Sequence, residues 1–134
     1  MKNLKLIVLL LFGTIISYLS YSQEEMAKVY LIRSTGYRGS PVANSIFIDN
    51  KVVCRLGNDK FSLQSVKPGE HVFTVQFMGK KPHKTTEPIM VKTEAGKTYY
   101  VEIILQSDHL ICQEVTESSA LTILKKCLEE TKCL

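Results

Sequence analysis

Four cysteines, three histidines and one run of lysines are the residues in this chain whose types and spacing could do chemistry. In an oxidising compartment an even set of cysteines is a disulfide framework, and four of them allow three pairings. Cys127 and Cys133 are separated by a short polar link that includes Glu129-Glu130-Thr131-Lys132. This spacing predicts a bridge closing a C-terminal helix onto its own tail, provided the helix ends near Glu130. A straight helix would hold the two roughly 9 Å apart, beyond bridging reach. Cys54 and Cys112 lie in apolar, strand-like contexts and could pair across strands or stay as buried thiols. The alternative chemistry is a reactive thiol at Cys112 or Cys127, with Lys125 and Lys126 beside Cys127 favouring its thiolate. His109-x-x-Cys112 offers two zinc ligands where a structural site needs four, so neither a metal nor another cofactor is predicted.

The histidines are otherwise scattered. His71 starts a strand, His83 sits in a basic loop and His109 follows a turn. No nucleophile elbow, phosphate loop or His-Glu-x-x-His zinc motif accompanies them, so no catalytic residue is predicted and the chain does not read as an enzyme. Two loops could bind. Gly79-Lys80-Lys81-Pro82-His83-Lys84 concentrates positive charge. Its lysines could meet an anionic glycan, lipid headgroups or an acidic partner, or simply keep a hairpin tip soluble. Ser34–Ser40 carries Tyr37 and Arg38, an aromatic face and a planar cation of the kind favoured at recognition sites. A glycan-binding domain is a further alternative, but it would need an aromatic platform that no motif marks.

These residues need a scaffold, and its class is bounded by composition. The chain has 134 residues, 45% hydrophobic and 22% charged, with a net charge of +4. That suits one globular domain and excludes global disorder. The charge is too small, and basic runs too short, for a nucleic-acid binder. Met1–Lys5 carries two lysines, Leu6–Ile16 is apolar, and Ser20-Tyr21-Ser22 is a small-x-small exit. This is the pattern of a secretory signal peptide over residues 1–22, with cleavage before Gln23. Its apolar core is shorter than a membrane span, so no stable insertion is expected after cleavage. The first cysteine is Cys54, so no lipid anchor is expected either. The product is predicted to be periplasmic or secreted. Lys2 and Lys5 leave with the leader, so the remainder is nearly charge-balanced.

Period-2 alternation predicts the strands. Phe73, Val75 and Phe77 share one face of one strand; Tyr99, Val101, Ile103 and Leu105 share one face of another. Phe73, Val75, Phe77, Val101 and Ile103 are the expected centre of the core. Tyr99-Tyr100 should send one ring to each face, leaving one exposed. Asp49-Asn50-Lys51 between two apolar runs predicts a tight hairpin. Lys67-Pro68-Gly69-Glu70 predicts a type II turn. Seven or eight short strands about ten residues apart predict an antiparallel β-sandwich, immunoglobulin-like or prealbumin-like, over residues 23–115. From Thr116 the apolar period becomes helical. Residues 116–134 should form one helix, capped by Thr116 and running to about Glu130, and a tail packed on the sandwich.

A resemblance rests on four segments in order: Ala27-Lys28-Val29-Tyr30, Ile48-Asp49-Asn50-Lys51, Lys67-Pro68-Gly69-Glu70-His71 and Ala95-Gly96-Lys97-Thr98-Tyr99-Tyr100-Val101. Together they resemble a family of bacterial envelope proteins known as domain of unknown function 2846, over Ala27–Val115. The resemblance implies an exported bacterial β-sandwich and no particular activity. Many members look like lipoproteins, whereas this chain lacks the anchoring cysteine. The expected function is therefore a non-catalytic binding or structural module of the cell envelope, partnered by an envelope protein or a glycan. A thiol enzyme or redox protein is the alternative.

Overall fold

The computed structural model describes residues 24–36 and 41–134. The expected leader, its cleavage point, Tyr37 and Arg38 lie outside the described residues. In chain order the strands are β1 (Ala27–Arg33), β2 (Asn44–Ile48), β3 (Lys51–Leu56), β4 (Lys60–Val66), β5 (Gly69–Gln76), β6 (Ile89–Thr93), β7 (Thr98–Gln106), β8 (His109–Glu114) and a two-residue β9 (Leu128–Glu129). Helix α1 (Glu117–Leu124) lies between β8 and β9.

The strands form two sheets, in the orders β8-β7-β1-β4-β9 and β3-β2-β5-β6. Alternating residues from both sheets meet in one core. Ala27, Val29 and Leu31 of β1, with Val101 and Ile103 of β7, face Ile46, Ile48, Phe73, Val75 and Val91 of the other sheet. The chain is a mainly β, two-sheet sandwich with one C-terminal helix, as its periodicity predicts. Most pairings are antiparallel, but β1 runs parallel to β7 and β4 parallel to β9. Local patterning carries no information on that choice, because a strand's alternation reads the same in either orientation.

The turns follow from backbone chemistry. Asp49 and Asn50 form the two-residue β2–β3 turn, both at positive φ, which their short polar side chains tolerate. The segment expected to be a type II turn does not fold the chain back on itself. β4 belongs to one sheet and β5 to the other, so Lys67-Pro68 carries the chain between sheets and Gly69, at φ 141°, absorbs the bend.

Four of the five expected core residues are buried, but Phe77 is 41% exposed. β5 ends at Gln76, and the alternation no longer applies beyond it. Tyr99 and Tyr100 do take opposite faces, yet neither is left without a partner. Tyr99 packs on the main core and its hydroxyl accepts from the Glu94 amide at 2.9 Å. Tyr100 stacks on Tyr30, with 5.3 Å between ring centroids.

Helix α1 covers that second face. Ala120, Ile123 and Leu124 pack with Ile32, Tyr30, Phe61 and Tyr100. The Thr116 hydroxyl accepts from the Ser119 amide, as its cap position predicts. The expected extension to Glu130 does not occur. The helix stops at Leu124, because the next free amides have partners along β4 and the residue before it: Leu128 N–H donates to the Asp59 carbonyl and Glu130 N–H to the Phe61 carbonyl. The edge of β4 thus outcompetes further helical turns.

The same path decides the disulfide. Cys133 bonds Cys54 of β3, and Cys112 and Cys127 are free thiols. The expected Cys127–Cys133 bridge, and the alternative Cys54–Cys112 pair, are both corrected. After Leu128 the chain follows β4 instead of folding back, so Cys127 stays under the helix while Cys133 reaches β3. The Arg55 amide then donates to the Cys133 carbonyl at 2.8 Å. The tail is a strap lying on the exposed edges of both sheets, which covers backbone groups that would otherwise template aggregation.

Candidate functional site

The strand register sorts the connections onto two ends. Arg33 pairs with Lys60 and Ile103, and Ser45 with Gln76. The β1–β2 loop, the β3–β4 turn, the β5–β6 loop and the β7–β8 turn therefore share one end. The β2–β3 turn, the β4–β5 crossing and the β6–β7 turn share the other.

At the first end, Arg33 supports the loops from below. It sits on the inward parity of β1, after Val29 and Leu31, and is fully buried. Its Nη1 donates to the Val42 and Leu56 carbonyls at 2.7 and 2.8 Å. Burial lowers its pKa, and Asp59 partly restores it. Above it, Asn58 clamps the start of the β1–β2 loop. Its Oδ1 accepts from the Thr35 amide and hydroxyl, and its Nδ2 donates to the Gly36 carbonyl.

The β5–β6 loop is held by Gln76, a buried side chain on the outward parity of β5. Its Nε2 donates to the Met78 and Lys81 carbonyls, and its Oε1 accepts from the His83 amide. Residues 78–83 are thereby curled into a knob. Gly79 belongs to that curl, because a side chain there would strike the Gln76 amide. With the knob's backbone groups turned inward, its side chains turn out. Met78 is 69% exposed, and Lys80, Lys81, His83 and Lys84 are exposed as well.

Two hollows flank the knob. One, of about 410 Å³, is lined by Phe77, Met78, His83, His109 and Leu110 among others. The second, about 340 Å³, lies on the other side of Met78 against Val42, Ser45 and Arg55. Met78 is the ridge between them. Of the acids at this end, Asp59 accepts from Ser34 and Asn58, and two others flank His109: Asp108 Oδ1 lies 2.7 Å from Nδ1 and Glu87 Oε1 3.7 Å from Nε2. Lys80, Lys81 and Lys84 have no ion pair among the described residues. The structure therefore brings the three lysines together with apolar surface that the sequence had placed elsewhere. The alternation of β5 assigns Phe77 to the core, and no local pattern marks Met78.

The opposite end turns its polar groups on one another. His71 places Nδ1 2.7 Å from Asp49 Oδ2 and Nε2 2.7 Å from the Lys67 carbonyl. Both partners only accept, so the geometry suits the imidazolium, which donates from both nitrogens. Burial opposes that charge, but the Asp49 hydrogen bond, the Lys67 carbonyl and the Asp49 charge together raise the His71 pKa. Asp49 also accepts from the Val72 amide. Its pKa is lowered: desolvation works against the carboxylate, and the Val72 and His71 bonds outweigh it. As an imidazolium with both nitrogens donating, His71 has no lone pair to offer as a base.

The thiols are poorly placed for nucleophilic work. Burial pushes the Cys112 thiol up to about 12. Cys127 is raised by burial and then by Asp59 and Glu102, while Lys125 and Lys126 are exposed. Reactive cysteines need the opposite shift. His109 and Cys112 do not converge, since one is exposed at a turn and the other is in the core. The stacked Tyr30–Tyr100 pair lies under α1, so it offers no sugar platform.

Parity could have flagged Arg33, an arginine continuing an inward apolar series. Nothing local marks Gln76, whose role depends on where the chain goes afterwards.

A family model described as "protein of unknown function (DUF2846)" matches residues 23–114. No curated protein matches the chain.

Proposed function

The chain belongs to that family, and from this premise we propose that it is an exported, non-catalytic binding or structural module of the cell envelope whose binding face is the Gln76-held knob and its two hollows. The observation that carries the reading is the exposed Phe77–Met78 surface beside three lysines that have no ion pair among the described residues. Rigid scaffolds with functional loops are built in this way. Export is supported by the Cys54–Cys133 bridge, since such bonds persist in oxidising compartments. Among the described residues no helix is long and apolar enough to cross a membrane.

Photo-crosslinking in the native envelope tests the reading. A photoreactive residue at position 78 should capture a component that the same residue at exposed Glu70, on the far end, does not. Equal capture at both positions would remove the assigned face. A turnover activity abolished by Cys127→Ser or Cys112→Ser would replace the module with a thiol enzyme.

A further inference from the structure

We propose that the knob docks the protein on an anionic phospholipid surface. The inference rests on the binding face assigned above and names its partner. Peripheral membrane attachment needs apolar side chains that can enter the headgroup boundary and cations around them. The knob supplies both within eight residues. Met78 and Phe77 are 69% and 41% exposed, and Val42, 37% exposed, extends the apolar surface across the second hollow. Lys80, Lys81 and Lys84 follow on the same curl, and Arg55 borders the second hollow.

Two further features favour a surface over a small soluble anion. First, the Met78 and Lys81 carbonyls and the His83 amide are tied to Gln76, so the curl turns its side chains outward. They offer a partner flexible cations and an apolar ridge. Second, the acids of this end are engaged away from the lysines: Asp59 accepts from the Ser34 hydroxyl and the Asn58 side-chain amide, and Glu87 and Asp108 flank His109. An acidic peptide would be held by the same charges, but it would not require an exposed Met-Phe pair at the tip.

Vesicle flotation of the full chain in its exported form tests this. The probes are phosphatidylcholine vesicles and vesicles in which about a third of the lipid is phosphatidylglycerol. The protein should float with the anionic vesicles only, and binding should weaken steeply with salt. Each lysine near an anionic surface contributes about fivefold in affinity, so the triple variant Lys80→Gln, Lys81→Gln, Lys84→Gln should bind about a hundredfold more weakly. Met78→Gln should cost about tenfold or more through lost apolar burial. Both variants change exposed residues, and an unchanged melting midpoint shows that they fold.

Equal binding to both vesicle types, or anionic binding that neither variant weakens, would overturn the proposal; the second result would place the contact elsewhere in the chain. If an anionic polysaccharide or an acidic peptide binds through the lysines while vesicles do not, the lipid assignment fails and the binding module survives. If none of these probes binds and position 78 captures no envelope component, both fail.

Discussion

The two ends of this sandwich are built from the same kinds of residue and use them in opposite ways. At the β2–β3 end, an acid, a histidine and a backbone carbonyl are bonded to one another, so Asp49, His71 and Lys67 close the turn onto the strand crossing. At the β5–β6 end, a buried glutamine takes up the loop's backbone groups and leaves its lysines and methionine facing out. The difference teaches that polarity alone does not mark a site. What matters is whether polar groups are satisfied by each other or are left for something else.

The largest expected contrast is between two phenylalanines on one strand and its continuation. Phe73, fully buried, should cost about 3–5 kcal/mol on change to alanine. Phe77→Ala should cost under about 1 kcal/mol, as surface changes do. Chemical denaturation measures both, and equal losses would mean that the knob is part of the core.

Next is the strap, which belongs to neither end. The bridge closes 79 residues of separation, and the chain-entropy relation gives about 4.5 kcal/mol for a loop of that size. Cys133→Ser should lower global stability accordingly while leaving the His71 titration unchanged. A shifted His71 titration in an NMR experiment would show that the strap also holds the closed end.

The closed end should make stability depend on pH. The raised pKa of His71 adds stability that is fully present below its ordinary 6.5 and is lost as pH rises through the folded value. The lowered pKa of Asp49 adds stability present above its ordinary 3.8 and lost as pH falls through its folded value. The pair's contribution is therefore greatest between those two ordinary values. Asp49→Asn keeps a residue that tolerates positive φ and should flatten the profile in that window. Its cost should be about 1 kcal/mol, modest because the carboxylate is half exposed. A wild-type profile without a maximum there would break the contrast between the ends.

The smallest effect is expected at the open end. Lys81→Glu should change stability by less than about 0.5 kcal/mol, since Lys81 enters the fold through its carbonyl. A loss as large as that of Asp49→Asn would mean that its side chain is structural after all.

Much of the scaffold is legible in the sequence. Alternation marks β5 and β7, Asp49-Asn50 marks the β2–β3 turn, and Thr116 marks the helix start. The candidate site is less so. Lys80, Lys81 and Lys84 stand out as a basic loop, but Phe77 reads as one more inward residue. Nothing local says that Gln76 ends the strand by binding the loop that follows it. Tyr37 and Arg38 lie outside the described residues.

What the sequence determined by itself is what depends on neighbours a few residues apart: which segments pleat, where a left-handed turn fits and which face of each strand is apolar. Those preferences arise from steric and hydrogen-bonding terms that act within one element. The tertiary structure decided the rest, because each of those choices is a competition between distant groups. Cys133 pairs with Cys54 because the edge of β4 takes the tail's amides and leads it to β3. The helix stops at Leu124 for the same reason. β1 lies parallel to β7 and antiparallel to β4, an orientation set by the path of the chain between them and not by the alternation of either strand. Such contacts join residues about 70 positions apart, and no local pattern shows which partner a strand edge or a thiol will meet.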